Sequence, residues 1–586
     1  MSDIQVFHNA ALPYCYYDLK GGKVVLRLIS EGEITGAFAL YGDPYDYTRT
    51  GGEELWQYEE APLSRQYTGA GKTVWRVELA IPRRRRLMYC FRLVHGGRNR
   101  YVTANGLIAE TPVQREHHFD HFFFPFIHDV DAPSVPSWVQ DTIWYQIFPE
   151  RFCNGNPALS PADSARWDTG VPGHYNFFGG DIPGIIQKLS YLKDLGINGI
   201  YLTPVFKAPS NHKYDTADYY AIDEHFGSIE DLKRLAREAH ALGIRVMLDA
   251  VFNHAGYTHP FWQDVLKNQE NSPYKDCFHI NYFPVREKYA DNRDIGFEAF
   301  SYSPRMPKWD TENPLVRRHL IDAALYWIRE CDIDAWRLDV ANEVSFDFWR
   351  EFSEEVHKAK QDFYVLGEIW HDASAWINRG CFDGVMNYPL SFRIADFLIE
   401  KRIGAGEFAE KLFTVLSRYS DLHNKALLNL LDSHDTARVL HRAEGDKGAL
   451  RNAFTMLFLL PGAPCIYYGT EIGLTGGPDP QCRKSMVWEG AKQDQELFTF
   501  FQELIALRRK YLSTINSGVI HYEEIDGVSA WPMGRGELTL VYTGDRIRNT
   551  EALGKRYSRL IFSALPAPAG ELAAGGLAVF CSYPTG

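Results

Sequence analysis

Eight short apolar runs, each followed by a polar or amphipathic stretch, pass through the middle of this chain, and no other feature restricts its fold so much. The runs are TIWYQIFP (142–149), INGIYLTPVF (197–206), GIRVMLDAVF (243–252), IDAWRLDVA (333–341), FYVLGEIW (363–370), FDGVMNY (382–388), ALLNLLD (426–432) and APCIYYG (463–469). Between them lie segments such as IEDLKRLAREAHALG (229–243), whose apolar residues recur at helical spacing. Strand and helix in alternation give a parallel sheet, and eight repeats over about 370 residues indicate a closed (β/α)8 barrel rather than an open sheet. The barrel is expected over 138–512, with an insertion at 255–312 after the third strand. That insertion is too long for a plain loop and reads as a small lobe over the barrel mouth.

The flanks have another rhythm. From Ile4 to about Phe124, alternating runs such as KVVLRLI and TVWRVELAIP are separated by Gly, Pro and charged turns, which predicts an N-terminal β-sandwich over 1–125. Its basic run Arg83–Arg86 follows Pro82 and reads as a solvated strand end. A linker at 126–137, rich in Pro and Asp, separates it from the barrel, and a C-terminal antiparallel β domain is expected over 513–586. Three such regions agree with a chain of 586 residues, too long for one core.

Function is first visible where the strand-like runs end. In Ala335–Glu343 (AWRLDVANE), Arg337 and Asp339 are two apart, so an extended backbone sets them on one face and Trp336 and Leu338 on the other. A carboxylate buried there needs a partner, and Arg337 is the nearest. DAVFNH (249–254), VLGEIWH (365–371) and LLDSHD (430–435) also end in polar clusters. In a (β/α)8 barrel the C-terminal ends of the strands face one pocket, which would gather Asp339, Glu368 and Asp435. Converging carboxylates repel one another, a cost that is kept where chemistry or a metal uses them.

These four clusters, in this order, resemble the signature of the α-amylase family of glycoside hydrolases. The resemblance implies that Asp339 is the nucleophile, Glu368 the acid/base, and Asp435 a third acid that binds sugar hydroxyls and helps distort the ring. A retaining pair of this kind lies about 5–5.5 Å apart, and Arg337 would favour the ionised form of Asp339. By the same resemblance Tyr214 is an aromatic platform under the sugar being cleaved, His254 and His434 bind its hydroxyls, and Asp479 and Arg483 hold the next sugar on the non-reducing side. VANE (340–343), GEIWH (367–371) and MPK (306–308) match the cyclomaltodextrinase, neopullulanase and maltogenic amylase branch. There Asn342 and Glu343 face the leaving-group sugars, and Trp370 and Phe300 grip bent or cyclic glucans. The branch also implies a homodimer in which the N-terminal domain narrows the partner's site.

Two departures stand out. Trp309-Asp310 follows MPK where the branch has Leu-Asn. The branch also carries a structural calcium site resembling NGDPSNDP, whereas this chain reads NGNPALSP from Asn154 to Pro161. Asn154, Asn156, Gly179 and Asp181 remain as oxygen donors, but Leu159 and Ser160 replace two expected ligands. Calcium takes 6–8 oxygens, so a structural calcium ion and a metal-free loop both stay open. The chemistry itself requires no cofactor.

Composition agrees with a sugar substrate. A formal charge of −13 argues against nucleic acid, and an aromatic content of 14% supplies rings that pack on sugar CH groups. Nine cysteines without a CxxC pair suit a reducing compartment, and neither a leader nor a membrane span is expected, so the location reads as cytoplasmic. The expected activity is retaining hydrolysis of α-1,4 bonds in cyclodextrins and short or branched maltooligosaccharides, with pullulan and starch as further candidate substrates. A transglycosylase of the same fold and a non-catalytic glucan-binding protein are the rivals.

Overall fold

All eight apolar runs form strands, and the strands are parallel. They are β1 (Trp144–Ile147), β2 (Gly199–Leu202), β3 (Arg245–Ala250), β4 (Ala335–Leu338), β5 (Tyr364–Gly367), β6 (Gly384–Val385), β7 (Leu428–Asn429) and β8 (Ala463–Tyr467). Each pairs with its neighbour in sequence from β1 to β6, β8 pairs with both β1 and β7, and a parallel bridge from Met386 to Leu428 joins the β6 and β7 edges. The sheet is thereby closed into a barrel. The computed structural model describes residues 4–50, 53–69, 71–109, 120–124, 126–286 and 291–582.

Helices between the strands start where the sequence carries caps. In Ile229–Ala241 the Ser228 hydroxyl and the Asp231 carboxylate cap each other's backbone N–H, and Leu232, Leu235, Ala236 and Ala239 form the buried stripe. Pro314–Cys331 starts behind the Asn313 cap, and Phe346–Ala359 behind Ser345. Inside the barrel the strand alternation separates two layers. Met247, Ala335, Tyr364 and Leu366 belong to one buried cluster with Trp144 and Tyr201. Burying each large apolar side chain contributes about 1.5–3 kcal/mol. Two residues further along the same faces stand Asp249, Arg337 and Glu368, so the charged layer rests on an apolar floor.

The insertion is a lobe with its own core. Trp262 packs on Phe278 and Phe297, and Phe278 stacks on Trp309 at 4.5 Å. Trp309 is buried, and its indole N–H donates to the Tyr219 hydroxyl at 3.1 Å. Trp309, where the branch has Leu, therefore fills the lobe core.

By compactness the chain divides into two units, one of 135–401 with 425–512 and the other of 1–134 with 402–424 and 513–586. The second differs from the expected division in two ways. Ser64–Gly69 pairs in parallel with Ile520–His521, so strands from the N- and C-terminal regions share one eleven-stranded sheet. Residues 402–424, expected within the barrel region, belong to this unit because Asp421 is held there. It accepts hydrogen bonds from Gln66 Nε2 (2.7 Å), Arg76 Nε (2.8 Å) and the Tyr16 hydroxyl (3.0 Å), and pairs with Arg27. The sandwich itself packs Val24, Leu26, Leu28 and Trp75 against Leu87, Tyr89, Phe91 and Leu93. Arg85 and Arg86 of the basic run pair with Asp129 and Asp43. All nine cysteines are buried thiols outside any disulfide.

Candidate active site

Above the C-terminal ends of the strands lies a cavity of about 720 Å³ lined by Asp339, Glu368 and Asp435, together with Tyr214, His254, Phe300, Asn342, Glu343, Trp370, Asp479 and Arg483. This volume falls within the range of small-ligand sites. All of these residues were singled out from the sequence. Arg337 and His434 are fully buried and do not line it.

Arg337 does more than partner Asp339. Its Nη1 donates to Asp339 Oδ1 at 2.7 Å and to both oxygens of Asp249 at 2.9 and 3.1 Å, while Nη2 lies 2.8 Å from Glu368 Oε1. Asp249 and Arg337 are register partners on β3 and β4, which is why they meet. Three carboxylates thus share one buried guanidinium. The sequence expectation that Arg337 keeps Asp339 ionised is only one part of the balance. Burial pushes Asp339 well above the usual carboxylate range and Arg337 opposes it, while the charges of Glu368 and Asp249 push it further up. Asp249 is raised to about 6, again by burial first, against Arg337 and the Tyr201 hydroxyl.

Glu368 pairs with Arg337 and accepts two hydrogen bonds. The Trp370 indole N–H donates to Oε1 at 3.0 Å and the Val340 backbone N–H to Oε2 at 2.9 Å. Val340 has φ +45°, a left-handed conformation that costs a β-branched residue about 1–3 kcal/mol and persists only where its surroundings impose it. That backbone directs the N–H after Asp339 onto the neighbouring carboxylate. Trp370 is fixed in turn by stacking on Tyr388 at 3.9 Å.

On the opposite wall a polar relay fixes Tyr214 and Asp435. The Gln146 amide lies 2.8 Å from His434 Nδ1, and His434 Nε2 lies 2.5 Å from the Tyr214 hydroxyl and 3.1 Å from Asp435. The Tyr214 hydroxyl also reaches Asp249 at 3.0 Å. With Gln146 as donor, Nδ1 accepts and Nε2 carries the hydrogen. Burial drives His434 well below its ordinary value, as does its proximity to Arg483 and Arg337, so the ring is neutral. Both nitrogens are engaged, and His434 orients its neighbours from behind the wall. Arg483 joins Asp435 at 3.3 Å to Asp479 at 3.0 Å. His254, lowered to about 3 by burial, stacks on Phe300 at 5.1 Å.

Sequence reasoning missed the lining residues His174, Tyr175 and His212, and it named Met306, Val340, His371 and the buried Asp249 within motifs without giving them a role. Asp249 had a signal, since it is a lone carboxylate in an otherwise apolar strand. His212 accepts the Tyr214 N–H on Nδ1 at 3.1 Å, which leaves Nε2–H for a ligand.

The calcium donor set lies apart from the cavity lining and does not fit the ion. Both Asp181 oxygens accept backbone N–H groups, from Gly155, Asn156 and Gly184, and Asn156 Oδ1 caps Ala158. Asn154 Nδ2 donates to Ser160 Oγ at 2.9 Å, while its Oδ1 is buried without a protein partner. Ser160 packs so closely on Gly179, at φ +84°, that a Cβ there would meet its Oγ at 2.3 Å. One carboxylate already occupied by three donors falls well short of a calcium shell. Among the described residues no group of three or more His, Cys, Asp or Glu is placed to hold a metal ion.

Residues 146–503 match the model for the alpha amylase catalytic domain, and 1–128 that for the alpha amylase N-terminal ig-like domain. A cyclomaltodextrinase from Geobacillus thermopakistaniensis (strain MAS1) is 50% identical over 508 residues, covering 86% of this chain and 84% of that protein. An intracellular maltogenic amylase from Bacillus subtilis is 43% identical over 511 residues, 87% of this chain and 85% of that one. A solved cyclomaltodextrinase superposes with a TM-score of 0.86 at 39% identity, covering 98% of this chain and 99% of that structure.

Proposed function

Because the chain belongs to the α-amylase family of glycoside hydrolases, we propose that it hydrolyses α-1,4-glucosidic bonds in cyclodextrins and short maltooligosaccharides with retention, through Asp339 and Glu368. One observation carries this reading. The two carboxylates stand at the ends of adjacent strands, both on Arg337, in a cavity whose remaining walls are aromatic rings and hydroxyl-binding groups.

Asp339 has one oxygen on Arg337 and attacks the anomeric carbon with the electron pair of its carboxylate, while Glu368 gives a proton to the departing glycosidic oxygen. The guanidinium stabilises the anion until the ester forms. With Asp339 esterified its charge is gone, and Glu368 becomes the anion beside Arg337, placed to take a proton from the attacking water. Asp435, His212 and Tyr214 surround the sugar from the other wall and favour its flattened oxocarbenium form. Two displacements at one carbon restore the starting configuration. Proton NMR of fresh product from maltotriose should show the α-anomer first, and a first-formed β-anomer excludes the mechanism.

A cytoplasmic location is supported by nine cysteines outside any disulfide and by a relative named as intracellular. No described helix is long and apolar enough to cross a membrane. A homodimer through the N-terminal β region completes the proposal, and light scattering at micromolar concentration tests it: a mass near 67.1 kDa counts against it.

A further inference from the structure

The cavity has two ends, and the chemistry tells them apart. The departing oxygen takes its proton from Glu368, so the leaving-group sugars lie toward Trp370, which is bonded to Glu368, and toward Asn342 and Glu343, which follow the Val340 N–H that it accepts. The sugar retained on Asp339 extends the other way, toward Asp435, Arg483 and Asp479. That end is bounded by His174 and Tyr175, on a loop between β1 and β2.

Built into this loop is more support than a surface turn requires. Asn211, 3% exposed, directs one amide nitrogen at three carbonyls of the loop on either side of Tyr175, those of Gly173 (3.4 Å), His174 (3.2 Å) and Asn176 (2.8 Å). Within the loop, Asn176 accepts the Gly173 N–H at 2.8 Å and donates to the Val171 carbonyl at 2.8 Å. Arg151, fully buried, donates through Nη2 to the Asn176 carbonyl at 3.0 Å and through Nη1 to the Arg483 carbonyl at 2.7 Å, so one side chain ties the loop to the segment bearing Arg483. On this fixed backbone the Tyr175 ring is 86% exposed and makes no side-chain hydrogen bond among the described contacts. A large aromatic side chain held out at a cavity mouth is suited to meet a ligand.

Resting on the proposed hydrolase reading, we propose that Tyr175 is a specificity-determining residue that limits how many glucose rings fit on the retained side of the cleft, and that Asn211 is the positioning residue that holds it there. The ring would block the place of the sugar beyond the one gripped by Asp479 and Arg483. Products cut from a long chain are then short because the retained end is walled. Without the wall, longer segments enter and are released.

The test is the product profile of maltoheptaose digestion at low conversion for the wild type and for Tyr175→Ala, Tyr175→Phe and Asn211→Asp. The ratio of products longer than maltose to maltose should rise at least about threefold in Tyr175→Ala. Tyr175→Phe, which keeps the ring, should retain the wild-type ratio. Asn211→Asp, which sets a carboxylate against three carbonyls, should shift the ratio in the same direction as Tyr175→Ala, a change that mere loss of stability would not produce. Equal ratios in wild type and Tyr175→Ala overturn the wall, and a Phe variant that behaves like Ala overturns the role of the ring. A wild-type chain that releases no sugar from any α-1,4-glucan overturns the hydrolase reading, and this inference with it.

Discussion

Replacing Arg337 with Met removes the single cation among three buried carboxylates, and its effect on stability should depend on pH in a defined direction. Arg337 is fully buried and holds Asp249, Asp339 and Glu368 at 2.7–3.1 Å. Taking one partner out of such a group costs about 3–5 kcal/mol, because the remaining charges are left without compensation. The carboxyls can recover part of that cost by taking up protons, the direction in which burial pushes Asp339 and Asp249 and which Arg337 opposes in the wild type. A carboxyl whose folded pKa lies above its unfolded value contributes stability that is full below the unfolded pKa and is lost as pH rises through the folded one. Each proton kept in Arg337→Met but not in the wild type should therefore reduce the deficit by about 1.4 kcal/mol per pH unit between pH 7 and pH 5. Urea unfolding of both proteins at the two pH values measures this. Activity should fall at least about a hundredfold, near 2.7 kcal/mol in the barrier, as the anion of Asp339 loses its counter-charge. A variant as stable as the wild type at pH 7, or a deficit that grows toward pH 5, would refute the charge-sharing account.

Three further outcomes are expected. Asp339→Asn and Glu368→Gln should each fold yet keep less than about one thousandth of the activity, and Asp339→Asn should melt no lower than the wild type because it relieves repulsion; activity near wild type in either variant contradicts the roles proposed. For His357, burial works to lower the pKa, but the Asp383 hydrogen bond and charge prevail and raise it, so its contribution is full below the unfolded value and fades as pH rises through the folded one. His357→Gln should accordingly lower the melting temperature at pH 6 and leave it unchanged at pH 9, and an equal loss at both would count against the pair. Because the Asn154–Pro161 loop is closed by hydrogen bonds, neither EDTA nor added calcium should move the melting temperature, and a clear fall with EDTA would show that a metal binds.

How much of this was legible in the sequence follows from the range over which each kind of order acts. Alternation along a strand is local, so a two-residue spacing was enough to set Arg337 and Asp339 on one face, and the rhythm of eight strands was enough to indicate a barrel and to bring Asp339, Glu368 and Asp435 to the same ends. Caps such as Ser228–Asp231 and Asn313 are local too, and the helices begin where those residues stand. Only the tertiary structure decided what crosses between strands. That Arg337 would serve Asp249 and Glu368 as well depended on the β3–β4 register and on the approach of β5, and no spacing in the chain encodes either. In the same way Asp181 ended on three backbone N–H groups, and Asp421 drew residues 402–424 into the unit that contains the chain's two β-rich flanks. A charged side chain is bound to find compensation once buried, but which partner it finds is set by closure of the sheet and packing of distant segments, and those are properties of the folded chain as a whole.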